Sequence, residues 1–274
     1  MIIIEPSEGR LCNHIIKYLI AYLISVKYNF SIILEGNHKY KEEIGKLGFN
    51  FYESEKNINY KIKQGDNKKI FLNNNNFIDI LKDKKNDYQS GVTFILSRRI
   101  FYQNPEGIAY IVKYFNNLNN TLCQNIINTN PFKDRYNNNN DMFIHYRNIS
   151  KESYRTSHIK DIPGLDYYEK IIKKYKNNID NIFICSDNIK SNIIDTLVNK
   201  YNIKILNLSS NDTILFGSTC KHVLLSSGSF SFTIGILSFY SYLYYDKNAG
   251  KKWHPQYFSK FIHKDNSLEL EEIL

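Results

Sequence analysis

The apolar run Ile2–Ile4 meets Pro6, Ser7, Glu8 and Gly9 almost at once, which predicts a short buried strand ending in a turn. From Asn13 onward Ile15, Ile16, Leu19, Ile20, Leu23 and Ile24 recur at helical spacing, so a helix is expected with Asn13 as its N-cap. The run 30–34 predicts a second strand. Strand, helix and strand in that order make a βαβ unit, which favours a parallel sheet. The pattern then weakens: strands are expected at 50–52 and 69–72, and a helix over 77–81. Pro105 opens an amphipathic helix with Ile108, Ile111, Val112, Phe115, Leu118 and Leu122 on one face.

The stretch 128–140 contains Pro131 and four consecutive Asn, and is read as the boundary between lobes 1–135 and 136–274. A second alternating series follows. Strands are expected at 142–145, 181–185, 203–206, 222–225 and 242–245, and helices at 166–176, 190–201, 213–219 and from Phe230. Two βα-repeating halves predict an α/β protein, and ligands of such folds sit at the carboxyl ends of the strands. The run 223–245 carries no charge and has the length of a membrane helix. Ser226, Ser227, Gly228, Ser229, Ser231, Thr233 and Ser238 dilute it, however, so no transmembrane span is expected. It reads better as a buried strand, a turn of small residues and a core helix whose N-terminus faces a ligand.

Composition changes the picture in three places. The net charge of +9 suits an anionic partner or simple surface solubilisation. Lysines such as Lys61, Lys63, Lys68, Lys69, Lys82, Lys84 and Lys85 are scattered, so no nucleic-acid partner is signalled. Cys12, Cys123, Cys185 and Cys220 lie far apart with no metal-binding spacing, which predicts buried thiols in a reducing compartment. The opening residues are charged too soon for a secretory signal. A cytoplasmic setting is therefore expected. The Ile, Asn, Lys, Tyr and Phe bias fits an AT-rich genome, and for a viral gene the setting is the host cytoplasm.

Candidate chemistry follows the strands. After the first come Glu8, Gly9, Arg10, Leu11, Cys12 and Asn13, a glycine turn leading into a helix N-terminus that can receive a phosphate or carboxylate. It matches neither a dinucleotide fingerprint nor a P-loop, and an ordinary strand-to-helix turn fits it as well. After 142–144 come His145, Tyr146 and Arg147. An Arg there offers a bidentate grip on phosphate, and His145 points to the same face of the strand. After 182–185 come Ser186 and Asp187, an acid able to read a base or hydroxyl, or merely to cap the next helix.

In this order the motifs resemble the alpha-1,2-fucosyltransferase family (glycosyltransferase family 11) and related GT-B fucosyltransferases. The family's Gly-x-x-x-Asn turn is similar to Gly9 through Asn13, and its His-x-Arg to His145, Tyr146 and Arg147. Its Ser-Asp-Asp resembles Ser186, Asp187 and Asn188, and its Ser-Ser-Phe-Ser resembles Ser226, Ser227, Gly228, Ser229, Phe230 and Ser231. Trp253 echoes its Pro-x-x-Trp.

The resemblance implies a GT-B-like α/β fold with two Rossmann-like lobes, parallel sheets and a central cleft. It implies a GDP-fucose or related deoxyhexose donor bound mainly by the second lobe, and a glycan acceptor on the side of the first. Arg147 would hold the beta-phosphate beside His145, Asn13 would reach the donor, and Asp212 would read guanine. Ser226, Ser227, Ser229 and the backbone around Phe230 would complete the phosphate cradle, with Gly9 and Asp187 also donor-binding. Asn148, Ile149 and Ser150 replace the second Arg and the Gly-Asp of the family, and Gly228 is an insertion into its serine motif. Donor identity and activity therefore stay open.

A departing diphosphate needs its growing charge stabilised. No Asp-x-Asp occurs in the chain, so fixed cations and amide dipoles are expected in place of a metal, with no cofactor and inversion at the sugar carbon. Glu8 is the candidate base, or else a solvated loop acid. A catalytically inactive glycosyltransferase-like binding protein and a basic nucleic-acid-binding module are the alternatives.

Overall fold

The structure, a computed structural model, describes residues 1–49, 52–53, 68–73, 76–83, 88, 91–100, 102–147 and 162–246. The chain divides into two compact units, Met1–Ile111 and Val112–Leu274.

In the first unit β1 (Ile2–Ile4) leads into α1 (Leu11–Tyr28), followed by β2 (Ile32–Leu34), α2 (Lys41–Lys46), β3 (Tyr52–Glu53), β4 (Lys68–Leu72), α3 (Asn76–Lys82) and β5 (Val92–Leu96). The sheet runs β3-β2-β1-β5-β4, with every pairing parallel. β5 lies beside β1 at the centre, Ile2 opposite Phe94 and Ile4 opposite Leu96. The sequence reading passes over β5, whose apolar run stands among segments of weak periodicity. α1 is buried on most of its circumference, and Asn29 closes it in the left-handed region at φ 54°.

α4 (Pro105–Phe115) carries the chain toward the second unit, and α5 (Thr121–Thr129) follows. The apolar spacing predicts one continuous helix here, but the Asn side chains break it. Asn120 Oδ1 accepts from the Cys123 amide at 2.7 Å and caps α5, while its amide nitrogen donates to the Tyr114 carbonyl at 3.0 Å. The stretch expected to separate the lobes lies inside the second unit. There Asn130 donates to the Leu215 carbonyl at 3.1 Å, and Arg135 pairs with Asp141 at 2.6 Å while lying over the Phe216 ring.

The second unit continues with β6 (Met142–Tyr146), α6 (Leu165–Tyr175), β7 (Ile182–Ser186), α7 (Asn192–Tyr201), β8 (Lys204–Ile205), α8 (Ser210–Gly217), β9 (His222–Leu224), α9 (Ser229–Leu237) and β10 (Tyr242–Tyr244). Its sheet is again fully parallel, in the order β10-β9-β6-β7-β8. The chain adds β7 and β8 on one side of β6, then returns to add β9 and β10 on the other. The order reverses between β6 and β9, which is where doubly wound sheets open a crevice. Met142, Ile144 and Tyr146 pack with Tyr168, Ile171, Ile194 and Leu197 of α6 and α7. Phe143 turns the other way, so close to Gly217 that a Cβ there would come 2.7 Å from its ring. None of the described helices is long and apolar enough to cross a membrane.

Candidate functional site

The alternation along β6 sends His145 to the face opposite Ile144, and Arg147 follows one residue beyond the strand. Beside it β9 ends at Leu224, and the turn 225–228 leads into α9. Three bonds tie the two strand ends together. The Arg147 amide donates to Ser226 Oγ at 3.3 Å, and the Ser226 amide donates to Ser231 Oγ at 3.0 Å. Ser231 Oγ lies 2.5 Å from His145 Nδ1. The Phe230 ring packs on the imidazole with centroids 5.0 Å apart, and Tyr167 donates to the Leu225 carbonyl at 3.2 Å from the opposite face. His145, Ser226, Ser227 and Ser231 are all buried. His145, Arg147 and the serine turn, expected on sequence grounds to act together, are thus neighbours at the switch point of the second sheet.

Gly228 sets the position of the Arg147 side chain. Its φ of 93° and ψ of 176° lie in a region essentially restricted to glycine. A Cβ on it would come 1.9 Å from Arg147 Nη1, which also donates weakly to the Ser227 carbonyl at 3.5 Å. The guanidinium therefore rests directly on the turn that opens α9. Gly228 also provides no side-chain cap, so no N-cap oxygen competes for the first-turn amides of α9. A fixed cation above a helix N-terminus is suited to an anion such as phosphate. Gly228→Ala is expected to lower stability by about 1–3 kcal/mol through backbone strain and to push the guanidinium off the turn. Urea unfolding checks the first effect and titration with inorganic pyrophosphate the second.

The remaining expected donor residues of this unit take varied places. Ser227 is buried in the turn, and Ser229 begins α9 with its carbonyl accepting from Thr233 at 2.9 Å. Ser226 Oγ accepts the Arg147 amide and braces the loop. Asp187 lies exposed just past β7. Asp212 stands in the first turn of α8 and accepts from the Ser209 hydroxyl at 2.7 Å, while Ser209 Oγ caps the Asp212 amide at 3.1 Å. This is a capping pair, and it gives Asp212 a clear local role. Cys185 Sγ and Thr213 Oγ1, 3.5 Å apart, join the end of β7 to the same helix. Ser231 belongs to the same serine motif and proves to be the residue that joins the turn to His145. Its position three residues into α9, where a side chain can reach back to the preceding turn, was the available signal.

In the first unit α1 begins at Leu11 with Arg10 as N-cap, not at Asn13. Asn13 lies within the first turn, where its side-chain oxygen accepts from Gln103 at 2.7 Å and does not cap the helix. Gly9 has a φ of 121°, and Glu8 is exposed and paired with Arg98 at 3.3 Å. Behind this turn Lys17 is fully buried, donating to the Glu5 and Ser97 carbonyls and to Ser7 Oγ at 2.9–3.0 Å. Burial pushes its pKa down to about 8, partly offset by Glu5. Lys17 thereby fastens the loops after β1, the central strand, and its neighbour β5. Asn148, Ile149, Ser150 and Trp253 lie outside the described residues.

No protein-family model matches the sequence, and no curated protein matches it. Among solved structures, the chain is similar to a mutant form of Arabidopsis thaliana FUT1 in complex with GDP, at 10% identity and a TM-score of 0.53, covering 93% of this chain and 72% of that one. POFUT1 in complex with GDP matches at 10% identity and a TM-score of 0.47, over 89% of this chain and 97% of that one. Fucosyltransferase NodZ from Bradyrhizobium matches at 8% identity and a TM-score of 0.48, over 86% and 93%. The fold of this chain is α/β and GT-B-like, with a parallel sheet in each unit, and it is shared with the FUT1 structure.

Proposed function

We propose that this chain is an inverting glycosyltransferase of the alpha-1,2-fucosyltransferase kind, moving fucose or a similar deoxyhexose from a GDP-sugar to a glycan hydroxyl without a metal ion. The observation that carries the reading is the Arg147 guanidinium seated on Gly228 at the first turn of α9, with His145 bonded into the same turn. As the bond between the sugar and the diphosphate lengthens, negative charge grows on the leaving oxygens. A guanidinium, a histidine N–H and helix amides held by one turn would stabilise that charge without reorganising. The missing Asp-x-Asp motif supports a metal-independent departure. Attack by the acceptor hydroxyl in a single displacement inverts the sugar carbon, and Glu8 is the carboxylate proposed to take the proton. GDP is the nucleotide held by the FUT1 structure whose fold the chain shares, and is the first ligand to test.

Thermal denaturation with GDP, UDP, ADP and a short single-stranded RNA tests the reading. GDP at a hundredfold excess over its Kd is expected to add about 2.7 kcal/mol of stability. RNA alone raising the melting temperature would favour a nucleic-acid-binding module. GDP-fucose turnover with a glycan acceptor then separates a working enzyme from an inactive binding protein.

A further inference from the structure

We propose that Ser231 is a positioning residue that fixes the tautomer of His145, so that the imidazole carries its proton on Nε2 and presents that N–H to the diphosphate. The presentation to the diphosphate rests on the donor site proposed above; the tautomer does not.

The argument is an accounting of one hydroxyl. Ser231 is completely buried, and its oxygen has two partners among the described residues, the Ser226 amide and His145 Nδ1. The amide can only donate, so it occupies one lone pair of the hydroxyl oxygen. Were Nδ1 to donate as well, the Ser231 hydroxyl proton would need a third group, a poor arrangement for a buried donor. With Nδ1 as acceptor, the proton of Ser231 goes to His145 and both contacts are made. A neutral imidazole whose Nδ1 accepts carries its hydrogen on Nε2.

The surroundings hold the arrangement in place. Ser231 is anchored three residues after Gly228, whose carbonyl accepts the Phe232 amide at 3.1 Å in the first bond of α9. The Phe230 ring, tilted 39° to the imidazole, covers His145 from the same helix. One hydroxyl thus links the turn, the helix and the ring, so the histidine meets a ligand with a donor and not a lone pair. A lone pair would repel phosphate oxygens.

Two-bond ¹H–¹⁵N correlation of the imidazoles in the ligand-free protein reads the tautomer directly. His145 is assigned among the seven histidines by comparison with His145→Gln. An Nε2–H pattern in the unaltered chain is expected, and an Nδ1–H pattern overturns the proposal whether or not GDP binds. In Ser231→Ala the fixed pattern should give way to a mixture, and in Ser231→Thr, which keeps the hydroxyl, it should persist. By calorimetry Ser231→Ala should weaken GDP binding on the order of tenfold, the lower end of what losing the hydrogen bond behind a metal-ligating histidine costs. In a His145→Ala background the same change should add little. Equal losses in both backgrounds would mean that Ser231 does not act through His145.

Discussion

Replacing Arg147 with Ala is expected to lower GDP-sugar turnover by about 10²- to 10³-fold, the range found when one preorganised transition-state donor is removed. The fold should survive the change. The side chain is only partly buried. The loop itself is braced by the Arg147 backbone amide, which alanine keeps. Arg147→Lys separates charge from geometry: an ammonium retains the charge but loses the planar fork, so intermediate activity is expected. Steady-state turnover, GDP calorimetry and a urea titration of both variants are sufficient measurements. Full turnover by Arg147→Ala would remove the guanidinium from the proposed mechanism and with it the main support for the donor site.

Stability should fall in mild acid, and buried histidines set the window, His14 and His222 with the largest shifts and His38 lowered in the same direction. Burial lowers the pKa of His14 from 6.5 to about 4, with Lys17, His38 and Lys39 adding to the effect. Burial, with a smaller contribution from Lys221, brings His222 from 6.5 to about 4 as well. His14 packs edge-on against Tyr40, and His222 stacks on Tyr242 and Tyr244 with its Nδ1 2.8 Å from the Tyr244 hydroxyl. Both rings are therefore neutral in the folded chain at pH values where the unfolded chain protonates them. The unfolded state binds more protons between pH 6.5 and 4, so stability present above pH 6.5 is lost as the pH falls through that interval. Each ring accounts for about 3 kcal/mol across the window. Urea denaturation at several pH values should show the slope, and His14→Asn or His222→Asn should each flatten it in part, with His38, whose pKa burial also lowers, keeping a share. A slope unchanged in both variants would place the acid sensitivity elsewhere.

Much of this architecture could be read from local pattern. β1, α1 and β2 follow from an apolar triplet, a helical period and a second apolar run, because a buried parallel strand needs apolar residues on both faces. The second unit was legible for the same reason, strand by strand. The middle of the chain was harder. α4 and α5 share one apolar period, but the Asn side chains near Asn120 find backbone partners that end the first helix and cap the second. Asn13 shows the reverse error: a residue well suited to capping was engaged by Gln103, ninety positions away in sequence.

The sequence by itself determined the fold class, the alternation of strands and helices in the second unit and the positions of the His-x-Arg and serine motifs, which rest on patterns within a few positions of the chain. Only the tertiary structure decided that β6 and β9 are neighbours, and hence that Arg147 lies on Gly228 and that Ser231 bonds His145 across 86 residues. Strand order in a parallel sheet is set by how crossover helices pack on its two faces. No local period encodes that choice, and it is what turned a serine motif and a His-x-Arg motif into one site.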